Sequence, residues 1–429
     1  MRKKEILKQI IREFHLQPVF DVTPRDFQVP LGTGKIITVM GVRRCGKTSI
    51  LLDTVNRLAR SMDRSLILFI NFEDERLDLG REELDLIIQA FRELYPQQNP
   101  AECYLFFDEI QNVDGWERFV RRVYDTITRN IYLSGSNSRL LGSEIATSLR
   151  GRTLGMEVFP LSFSEYLRFQ GLEVDLYSSR HLALLKNAQA DFLNNGGFPE
   201  ALVVDNRHRT RLLQEYFNVM LYKDIVERYR VQNVVALRYF LKRLLASSTR
   251  QLSINKIYNE LKSANIKVGK NTLYDFLDYA QTVFLVRTLY PYDRSLAARE
   301  LGEKKVYAID TGLYDAVEYR FSEDTGKSLE NAVFLELWRT GTELFFYRGD
   351  NLECDFLRME RGRAVEAIQV CFDLSDPETR HREVKGLMAA CTRLGLNKGT
   401  IITADEFHQW NVEQLEVEAV PFYRRFSQT

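Results

Sequence analysis

The run from Gly41 to Thr48, Gly-Val-Arg-Arg-Cys-Gly-Lys-Thr, combines residue types that hold phosphate groups. It fits the pattern G-x-x-x-x-G-K-[ST], in which the backbone N–H groups of a glycine-rich turn point at the phosphates of a nucleotide. Lys47 would then reach the β- and γ-phosphates, and the Thr48 hydroxyl would bind Mg²⁺. The sequence therefore predicts a nucleotide-binding loop lined by Gly41, Arg43, Arg44, Cys45, Gly46, Lys47, Thr48 and Ser49.

The segments on either side of this run are suited to present it. Residues 35–40 are mostly β-branched and apolar, as in a buried strand, and residues 49–59 have the periodicity of an amphipathic helix. A turn between a strand and a helix directs the partial positive charge of the helix N-terminus at a bound phosphate. The order of strand, loop and helix therefore agrees with the motif.

Three further apolar runs, residues 65–72, 104–107 and 130–134, alternate with helical segments. This alternation predicts an α/β fold with a parallel sheet that is covered on both faces. In such sheets ligands bind at the carboxyl ends of the strands, and polar residues follow each of these runs. We expect a P-loop parallel-sheet ATPase domain over residues 1–200.

Two acidic residues directly follow the run 104–107. Asp108 has the position of the carboxylate that holds Mg²⁺ through water, and Glu109 is placed to polarise the water that attacks the γ-phosphate. The predicted cofactors are therefore ATP and Mg²⁺, with Thr48 and Asp108 on the metal.

Other side chains near these strand ends have two interpretations each. Asn137 or Ser136 would contact the γ-phosphate or the water, or would cap a turn, and Glu73 would tune the water or lie in solvent. Arg150 and Arg152 flank a glycine after the fourth strand. If protomers assemble, one of them, with Arg152 preferred, would enter a neighbouring site as an arginine finger; otherwise each would interact with a helix dipole.

Several segments resemble motifs of a large prokaryotic family of predicted AAA+-superfamily ATPases. They are Gly-x-Arg-Arg-x-Gly-Lys-Thr48, Ile-Asn-Phe-Glu-Asp74, Phe-Asp-Glu-Ile-Gln111, Leu-Ser-Gly-Ser-Asn-Ser138, Leu-Arg-Gly-Arg152, Phe-Pro-Leu-Ser-Phe-Ser-Glu-Tyr166, Gly-Gly-Phe-Pro-Glu200 and Tyr-Lys-Asp-Ile225. The phosphate-loop and Asp-Glu matches are generic to such ATPases, whereas Phe-Pro-Leu-Ser and Gly-Gly-Phe-Pro-Glu single out this family. The resemblance implies nucleotide chemistry, and it implies a C-terminal domain of unknown function with a restriction-endonuclease-like core.

A long helical pattern at residues 208–230 is followed by three helical segments, residues 232–247, 253–264 and 270–281. Two strand-like runs come next, residues 283–290 and 304–313. Because three helices followed by a hairpin is the winged-helix order, we expect a winged-helix middle domain over residues 201–315, with 270–281 as its recognition helix. Residues 231–300 hold eleven Lys or Arg and five Asp or Glu, an excess that favours contact with DNA. Asp275 and Asp278 on the recognition helix favour instead a lid over the nucleotide or a protein-docking role.

The last predicted domain, residues 316–429, begins with a helix from Leu329 and continues with three strands, a helix and a strand: residues 343–348, 353–358, 363–371, 378–388 and 399–403. This is the order of a restriction-endonuclease-like α/β core, whose metal site needs an acid on one strand and (E/Q)-x-K on the next. Asp355 and Gln369 occupy the first two positions, and Glu330 is a further candidate ligand. Cys371 stands where the lysine belongs, and Lys385 is a poor substitute. We therefore expect a degenerate site, with an active nuclease as the alternative.

Length and composition restrict the class of protein. At about 150 residues per domain, the 429 residues predict two to four domains. The 59 basic and 59 acidic residues leave no net charge and no global field that attracts nucleic acid. The sequence lacks an apolar run of membrane-spanning length and a signal-peptide core, so a cytoplasmic protein without a membrane partner is expected. The five cysteines form no C-x-x-C pair, which predicts reduced thiols.

Three interpretations of the whole chain remain open. In the first, a homo-oligomeric AAA+-type ATPase couples hydrolysis of ATP to remodelling of, or movement on, nucleic acid such as DNA. In the second, ATP binding is a switch or scaffold that changes how the C-terminal domains dock on a protein partner. A third interpretation is an ATP-dependent nuclease.

Overall fold

The computed structural model of the chain describes residues 2–17, 19–136, 149, 151–293, 295, 297, 299, 302–317, 325–349 and 352–427. Contacts between residues divide the chain into two units, Met1–Val158 and Phe159–Thr429. The boundary therefore lies well before the predicted one at residue 200. The predicted middle and C-terminal domains, residues 201–315 and 316–429, both lie in the second unit. Residues 159–200, which were predicted to end the ATPase domain, belong to the second unit as well.

A five-stranded parallel sheet forms the centre of the first unit, in the order β2-β3-β4-β1-β5. Its strands are β1 (Ile36–Gly41), β2 (Ile67–Asn71), β3 (Tyr104–Asp108), β4 (Ile131–Gly135) and β5 (Thr153–Val158). The helices are α1 (Arg2–Leu16), α2 (Lys47–Leu58), α3 (Asp85–Leu94) and α4 (Trp116–Thr126). Strands β1 to β4 are buried almost throughout, as expected for a sheet covered on both faces. The predicted parallel sheet is confirmed.

The strand order brings the predicted polar positions to one edge of this sheet. Strand β4 lies between β1 and β3, with Met40 paired to Gly135 and Phe107 paired to Leu133. All three strands run in the same direction, so the segments that follow their carboxyl ends are neighbours. The loop after β1 and the acids at the end of β3 therefore share one edge.

The second unit begins with a group of helices and a hairpin. The helices are α5 (Phe163–Phe169), α6 (Ser179–Asn195), α7 (Pro199–Val203), α8 (Asn206–Val219), α9 (Val234–Ala246), α10 (Ile254–Ser263), α11 (Lys270–Thr282) and α12 (Thr311–Val317). The antiparallel hairpin consists of β6 (Val286–Leu289) and β7 (Lys305–Ala308). A π-helix, Met220–Glu227, continues α8 where the sequence predicted an uninterrupted helix.

A six-stranded sheet completes the second unit, in the order β12-β13-β11-β10-β9-β8. Its elements are α13 (Thr325–Trp338), β8 (Glu343–Gly349), β9 (Leu352–Glu360), β10 (Arg363–Val370), α14 (Pro377–Leu394), β11 (Lys398–Thr403), β12 (His408–Val412), β13 (Leu415–Pro421) and α15 (Phe422–Phe426). Strands β8, β9 and β10 form an antiparallel meander, and β11 pairs with β10 in parallel after α14. In the described parts of both units, no helix is long and apolar enough to cross a membrane.

The Gly-Gly-Phe-Pro-Glu segment encloses a buried carboxylate in the second unit. Asp310 accepts hydrogen bonds from the backbone N–H of Gly197 at 2.7 Å and of Leu313 at 2.9 Å. Burial raises the pKa of Asp310 to about 6. Gly196 has φ 76° and ψ −168°, and a side chain there would collide with the Asp310 carboxylate. The glycine is therefore required both by its backbone conformation and by the close approach of Asp310.

Gly196→Ala is expected to destabilise the second unit by about 2–5 kcal/mol, because it combines a backbone region almost restricted to glycine with overpacking. Gly171→Ala is the matched control: Gly171 also has a positive φ, 68°, but has open space where a side chain would extend. The control should lose about 1–2 kcal/mol, the cost of a left-handed residue alone. Urea unfolding followed by tryptophan fluorescence measures both, and equal losses would contradict the role given to Gly196.

Candidate functional site

The loop between β1 and α2 has the backbone conformation of a phosphate-binding turn. Gly46 precedes α2 with φ 99°, a left-handed value that glycine adopts without strain, and Arg44 also has a positive φ of 69°. A side chain at Gly41 would collide with the carbonyl oxygen of Val158 on the neighbouring strand β5. Helix α2 begins at Lys47, so its N-terminus faces the loop. Both glycines of the motif are thus required by local structure.

Lys47 is the central cation of the site. Its side chain is 4% exposed, and Nζ donates to the carbonyl oxygens of Gly41 at 3.3 Å and Val42 at 3.2 Å. Nζ also forms an ion pair with Glu109 Oε1 at 3.3 Å. Burial alone would lower the pKa of Lys47, but the charge of Glu109 reverses this and raises it. The ammonium therefore stays charged at the mouth of the loop.

Asp108 ends strand β3 and is held by two hydroxyl groups. Thr48 Oγ1 donates to Asp108 Oδ2 at 2.8 Å, and Ser134 Oγ on β4 donates to Asp108 Oδ1. Burial raises the pKa of Asp108, although these two hydrogen bonds favour the charged form. The Thr48 hydroxyl and the Asp108 carboxylate, the predicted pair, therefore lie together at the carboxyl end of β3.

Glu109 has a left-handed backbone, with φ 51° and ψ 43°. Its N–H donates to Ser134 Oγ at 3.0 Å, and its carboxylate accepts from Gln111 Nε2 and pairs with Lys47. Burial by itself would raise the pKa of Glu109, but the charge of Lys47 and the Gln111 contact lower it. The carboxylate is therefore ionised at neutral pH and can act on a water molecule.

The weaker candidates differ in their placement. Glu73 forms an ion pair with Arg43 of the phosphate loop at 2.6 Å, so its contact is with the loop. Ser136 is buried, and its hydroxyl has no hydrogen-bond partner among the residues that the structure describes. Asn137 and Arg150 lie outside the described residues.

Arg152 lies at the opposite end of β1 from the phosphate loop. Its carbonyl oxygen accepts from the N–H of Ile36 at 2.8 Å, and Ile36 is the first residue of that strand. The guanidinium pairs with Asp125 at 3.0 Å and lies over the Tyr124 ring, 5.8 Å from its centre. Arg152 is partly exposed there, at 27% of its side chain.

Three side chains near the phosphate loop were absent from the predicted site. Ser134 joins Asp108 to the backbone of Glu109, Gln111 contacts the Glu109 carboxylate, and Arg25 donates to the carbonyl oxygen of Cys45 at 2.9 Å. A hydroxyl inside the apolar run 130–134 was a usable signal for Ser134. Arg25 precedes β1 in a segment without regular structure, and no local pattern indicates its position.

The C-terminal candidates Glu330, Asp355 and Gln369 also come together. The N–H of Asp355 donates to Gln369 Oε1 at 3.3 Å, and Asp355 and Glu330 both contact Lys305 of β7. Burial raises the pKa of Glu330 to about 8. Burial raises the pKa of Cys371 to about 11, so it remains a thiol. Lys385 is exposed on α14, and a lysine that the sequence did not suggest lies at the carboxylates instead.

Two segments of the chain match known family models. Residues 33–167 match a family model described as an AAA domain, and residues 187–324 match one described as a domain of unknown function, DUF8612. An uncharacterized protein of Haemophilus influenzae is 27% identical over 412 residues, which cover 95% of this chain and 96% of that protein.

Solved structures are similar at a low level. The ORC1 protein of Aeropyrum pernix, solved in complex with DNA, aligns with a TM-score of 0.31 and 12% identity over 74% of this chain and 91% of that one. A DNA polymerase III gamma subunit-related protein of Thermotoga maritima aligns with a TM-score of 0.27 and 13% identity over 66% of this chain and 99% of that one. Such scores are too low to bear on function.

A relative with higher identity covers nearly the whole chain. Uncharacterized protein MJ1544 of Methanocaldococcus jannaschii is 35% identical over 436 residues, which cover 98% of this chain and 95% of that protein. The chain belongs to the family of MJ1544, and its residues 33–167 match an AAA domain.

Proposed function

We propose that the first unit binds Mg²⁺-ATP and hydrolyses it. The observation that carries this proposal is the presence of two contacting pairs at one edge of the sheet, Lys47 with Glu109 and Thr48 with Asp108. Phosphoryl transfer needs a cation on the phosphates, oxygen ligands for a metal and a group that orients water. This set supplies each of them.

The implied Mg²⁺ fits the residues at this edge. Thr48 Oγ1 and Asp108 Oδ2 are 2.8 Å apart and are oxygen donors of the kind that Mg²⁺ prefers, with phosphate oxygens and water as its other ligands. When bound, the ion neutralises charge that develops on the phosphates. Asp108 would act directly or through water, and Ser134 orients its carboxylate.

Glu109 is the proposed group that acts on water. Its ionised carboxylate is 3.3 Å from Lys47 Nζ, and a γ-phosphate would compete with Glu109 for that ammonium. Loss of the Lys47 contact would free a carboxylate oxygen to accept a proton from water, while Gln111 and Ser134 hold the rest of the residue.

Lys47→Ala is expected to weaken ATP binding at least about 30-fold, because removal of a buried, hydrogen-bonded charge from such a contact costs about 2–5 kcal/mol. Titration with a fluorescent ATP analogue measures the affinity. Lys35→Ala is the matched control: Lys35 is exposed and adjoins the other end of β1, where it donates to the Gly151 carbonyl. Unchanged affinity in Lys47→Ala would remove the loop from its assigned role.

The ATPase is proposed to be a homo-oligomer whose sites are completed between protomers by Arg152. The five-residue step from Ile36 to Gly41 along β1 corresponds to about 16 Å, so Arg152 cannot reach the phosphate loop of its own chain. Its side chain is 27% exposed and contacts Asp125, the Leu149 carbonyl and the Tyr124 ring, contacts that a phosphate bound by a neighbouring protomer would replace. An arginine supplied in this way stabilises charge on the transferring phosphoryl group.

The proposed target of the ATPase is nucleic acid. Supporting this are the winged-helix order of α9, α10, α11 and the β6–β7 hairpin, and the local excess of basic residues. The exposed face of α11 carries Lys270 and Asn271, suited to phosphate and base contact, but also Asp275 and Asp278. These acids favour the alternative, a nucleotide-gated switch that acts on a protein partner.

Stimulation by DNA distinguishes these two functions. If nucleic acid is the target, ATP turnover should rise on addition of single- or double-stranded DNA, and the rise should decline steeply between 50 and 200 mM salt because bound counterions are released. Phosphate release at both salt concentrations, with Lys47→Ala as the blank, provides the measurement. Turnover that DNA leaves unchanged would favour the protein partner.

The C-terminal part, residues 316–429, is proposed to have a restriction-endonuclease-like core without nuclease activity. The order of α13, the β8–β10 meander, α14 and the parallel strand β11 supports this core. Cys371 in place of a lysine supports the loss of activity, since a buried thiol supplies no fixed positive charge. The contacts of Lys305 also bear on whether this core could hold a catalytic metal ion.

A further inference from the structure

A buried lysine lies among three carboxylates in the second unit. Nζ of Lys305 is 2.9 Å from Asp355 Oδ1, 3.2 Å from Glu330 Oε1 and 2.5 Å from Glu353 Oε1. The Lys305 side chain is only 4% exposed. We call this set the Lys305 cluster; it comprises Lys305, Glu330, Glu353 and Asp355.

The cluster joins three elements of the fold. Lys305 comes from the hairpin strand β7, Glu330 from α13, and Glu353 and Asp355 from β9. The backbone fixes the hairpin strand independently, because the N–H of Leu252 donates to the Lys304 carbonyl at 2.9 Å and Gln251 bridges to Lys305. The backbone contacts of β7 therefore fix the position of the Lys305 ammonium beside the carboxylates.

Asp355 is the buried carboxylate that balances the charge of Lys305. A buried ammonium is tolerated only with charged partners, and the Asp355 side chain, 9% exposed, lies 2.9 Å from it. Burial by itself would lower the pKa of Lys305, but the carboxylates, led by Asp355, hold it well above the ordinary lysine value. Lys305 therefore carries its charge at all physiological pH values.

A divalent metal does not fit the cluster as it stands. Lys305 Nζ is within 3.2 Å of one oxygen atom from each of the three carboxylates, so the ammonium occupies the point on which they converge. One oxygen atom of Asp355 and one of Glu330 contact the ammonium, and the same Glu330 oxygen accepts from the Tyr307 hydroxyl at 2.8 Å. The second Asp355 oxygen accepts from the N–H of Val370 at 3.0 Å.

We propose that Lys305 is a built-in cation that takes the place of a divalent metal, so that the C-terminal core is complete without metal. This inference rests on the proposed restriction-endonuclease-like core, and it deepens the proposal that the core does not cut nucleic acid. Lys305 does not substitute for the lysine missing at Cys371. A nuclease lysine acts beside a bound metal, whereas Lys305 contacts the carboxylates that would otherwise hold the metal.

The test uses the full chain, treated with EDTA and kept free of nucleotide, and Mn²⁺ as the probe. Mn²⁺ binding is measured by electron paramagnetic resonance, and thermal unfolding is followed in parallel. The wild-type protein should bind no stoichiometric Mn²⁺ at the cluster, and its Tm should not change. Lys305→Met, which keeps the length of the side chain but removes its charge, should have a lower Tm and should bind Mn²⁺.

In Lys305→Met, Mn²⁺ should raise Tm by about 5 °C or more at a hundredfold excess over its dissociation constant. Adding Asp355→Asn to that variant should abolish both the binding and the rise. Lys304→Met is the matched control, because Lys304 is the adjacent lysine but lies against the Tyr290 ring; it should behave as the wild type.

Two outcomes would overturn the inference. One is stoichiometric Mn²⁺ binding by the wild-type protein that Asp355→Asn removes, a measurement that stands even if Lys305→Met fails to fold. The other is a folded Lys305→Met protein that binds no Mn²⁺. ATP turnover, measured on the same preparations, tests the proposed ATPase separately, since the Lys305 cluster lies in the second unit.

Discussion

Arg152→Ala is expected to lower the rate of ATP turnover by about 10³-fold or more while ATP affinity stays near the wild-type value. Arginine residues that enter a site from outside contribute about 10³–10⁵ to kcat in phosphoryl transfer, because they stabilise charge that is largest in the transition state. The phosphate loop is unaffected by the change, since Arg152 adjoins the other end of β1. Steady-state phosphate release, together with an ATP titration, gives both quantities.

A matched control and a mixing experiment make this prediction specific. Arg129→Ala removes an exposed arginine that also lies over the Tyr124 ring, at 5.9 Å, and should leave turnover unchanged. Arg152→Ala mixed with Glu109→Gln should recover activity, because the second protein supplies the arginine that the first lacks. Full activity of Arg152→Ala alone, or no recovery on mixing two proteins that co-assemble, would contradict an arginine shared between protomers.

Glu109→Gln is expected to bind ATP as tightly as the wild type and to lose turnover by about 10²–10⁴-fold, the usual contribution of a general base. The amide keeps the size of the side chain but cannot accept a proton. Loss of its charge also removes the ion pair with Lys47, which leaves that ammonium free for the phosphates. Single-turnover hydrolysis separates this chemical step from product release.

Glu73→Gln serves as the control for Glu109. Glu73 pairs with Arg43 at the loop, and its substitution should change turnover by no more than a few-fold. Turnover near the wild-type rate in Glu109→Gln would remove Glu109 from its proposed role. A large loss in Glu73→Gln would instead transfer that role to the acid that follows β2.

The predictable part of the site is the part encoded locally. The phosphate loop has fixed spacing, and the acids at 108 and 109 follow a continuous apolar run that is typical of a buried strand. Strand β5 lacked such a run, because Thr153–Val158 is an edge strand with half-exposed side chains and a glycine. The hairpin of β12 and β13 was not predicted, although Leu-Glu-Val-Glu-Ala-Val alternates in polarity as a half-buried strand does.

The remaining features depend on contacts between distant parts of the chain. Lys305 is 25 residues from Glu330 and 50 from Asp355, and the pairing of those segments leaves no local signal. The position of the boundary between the two units also depends on distant contacts. The N–H of Phe163, near the start of the second unit, donates at 2.8 Å to Glu336, which is 173 residues later. Local periodicity predicts helices and strands, but such contacts determine which of them form one unit.

The central claim, ATP hydrolysis in sites completed between protomers, is tested most directly by phosphate release from the wild-type protein at increasing protein concentration. Mg²⁺, ATP and DNA are held in excess, and Lys47→Ala is the blank. We predict Mg²⁺-dependent release whose rate per protomer rises with concentration as protomers assemble. Release that never exceeds the blank, at any concentration and with or without DNA, would contradict the proposed ATPase.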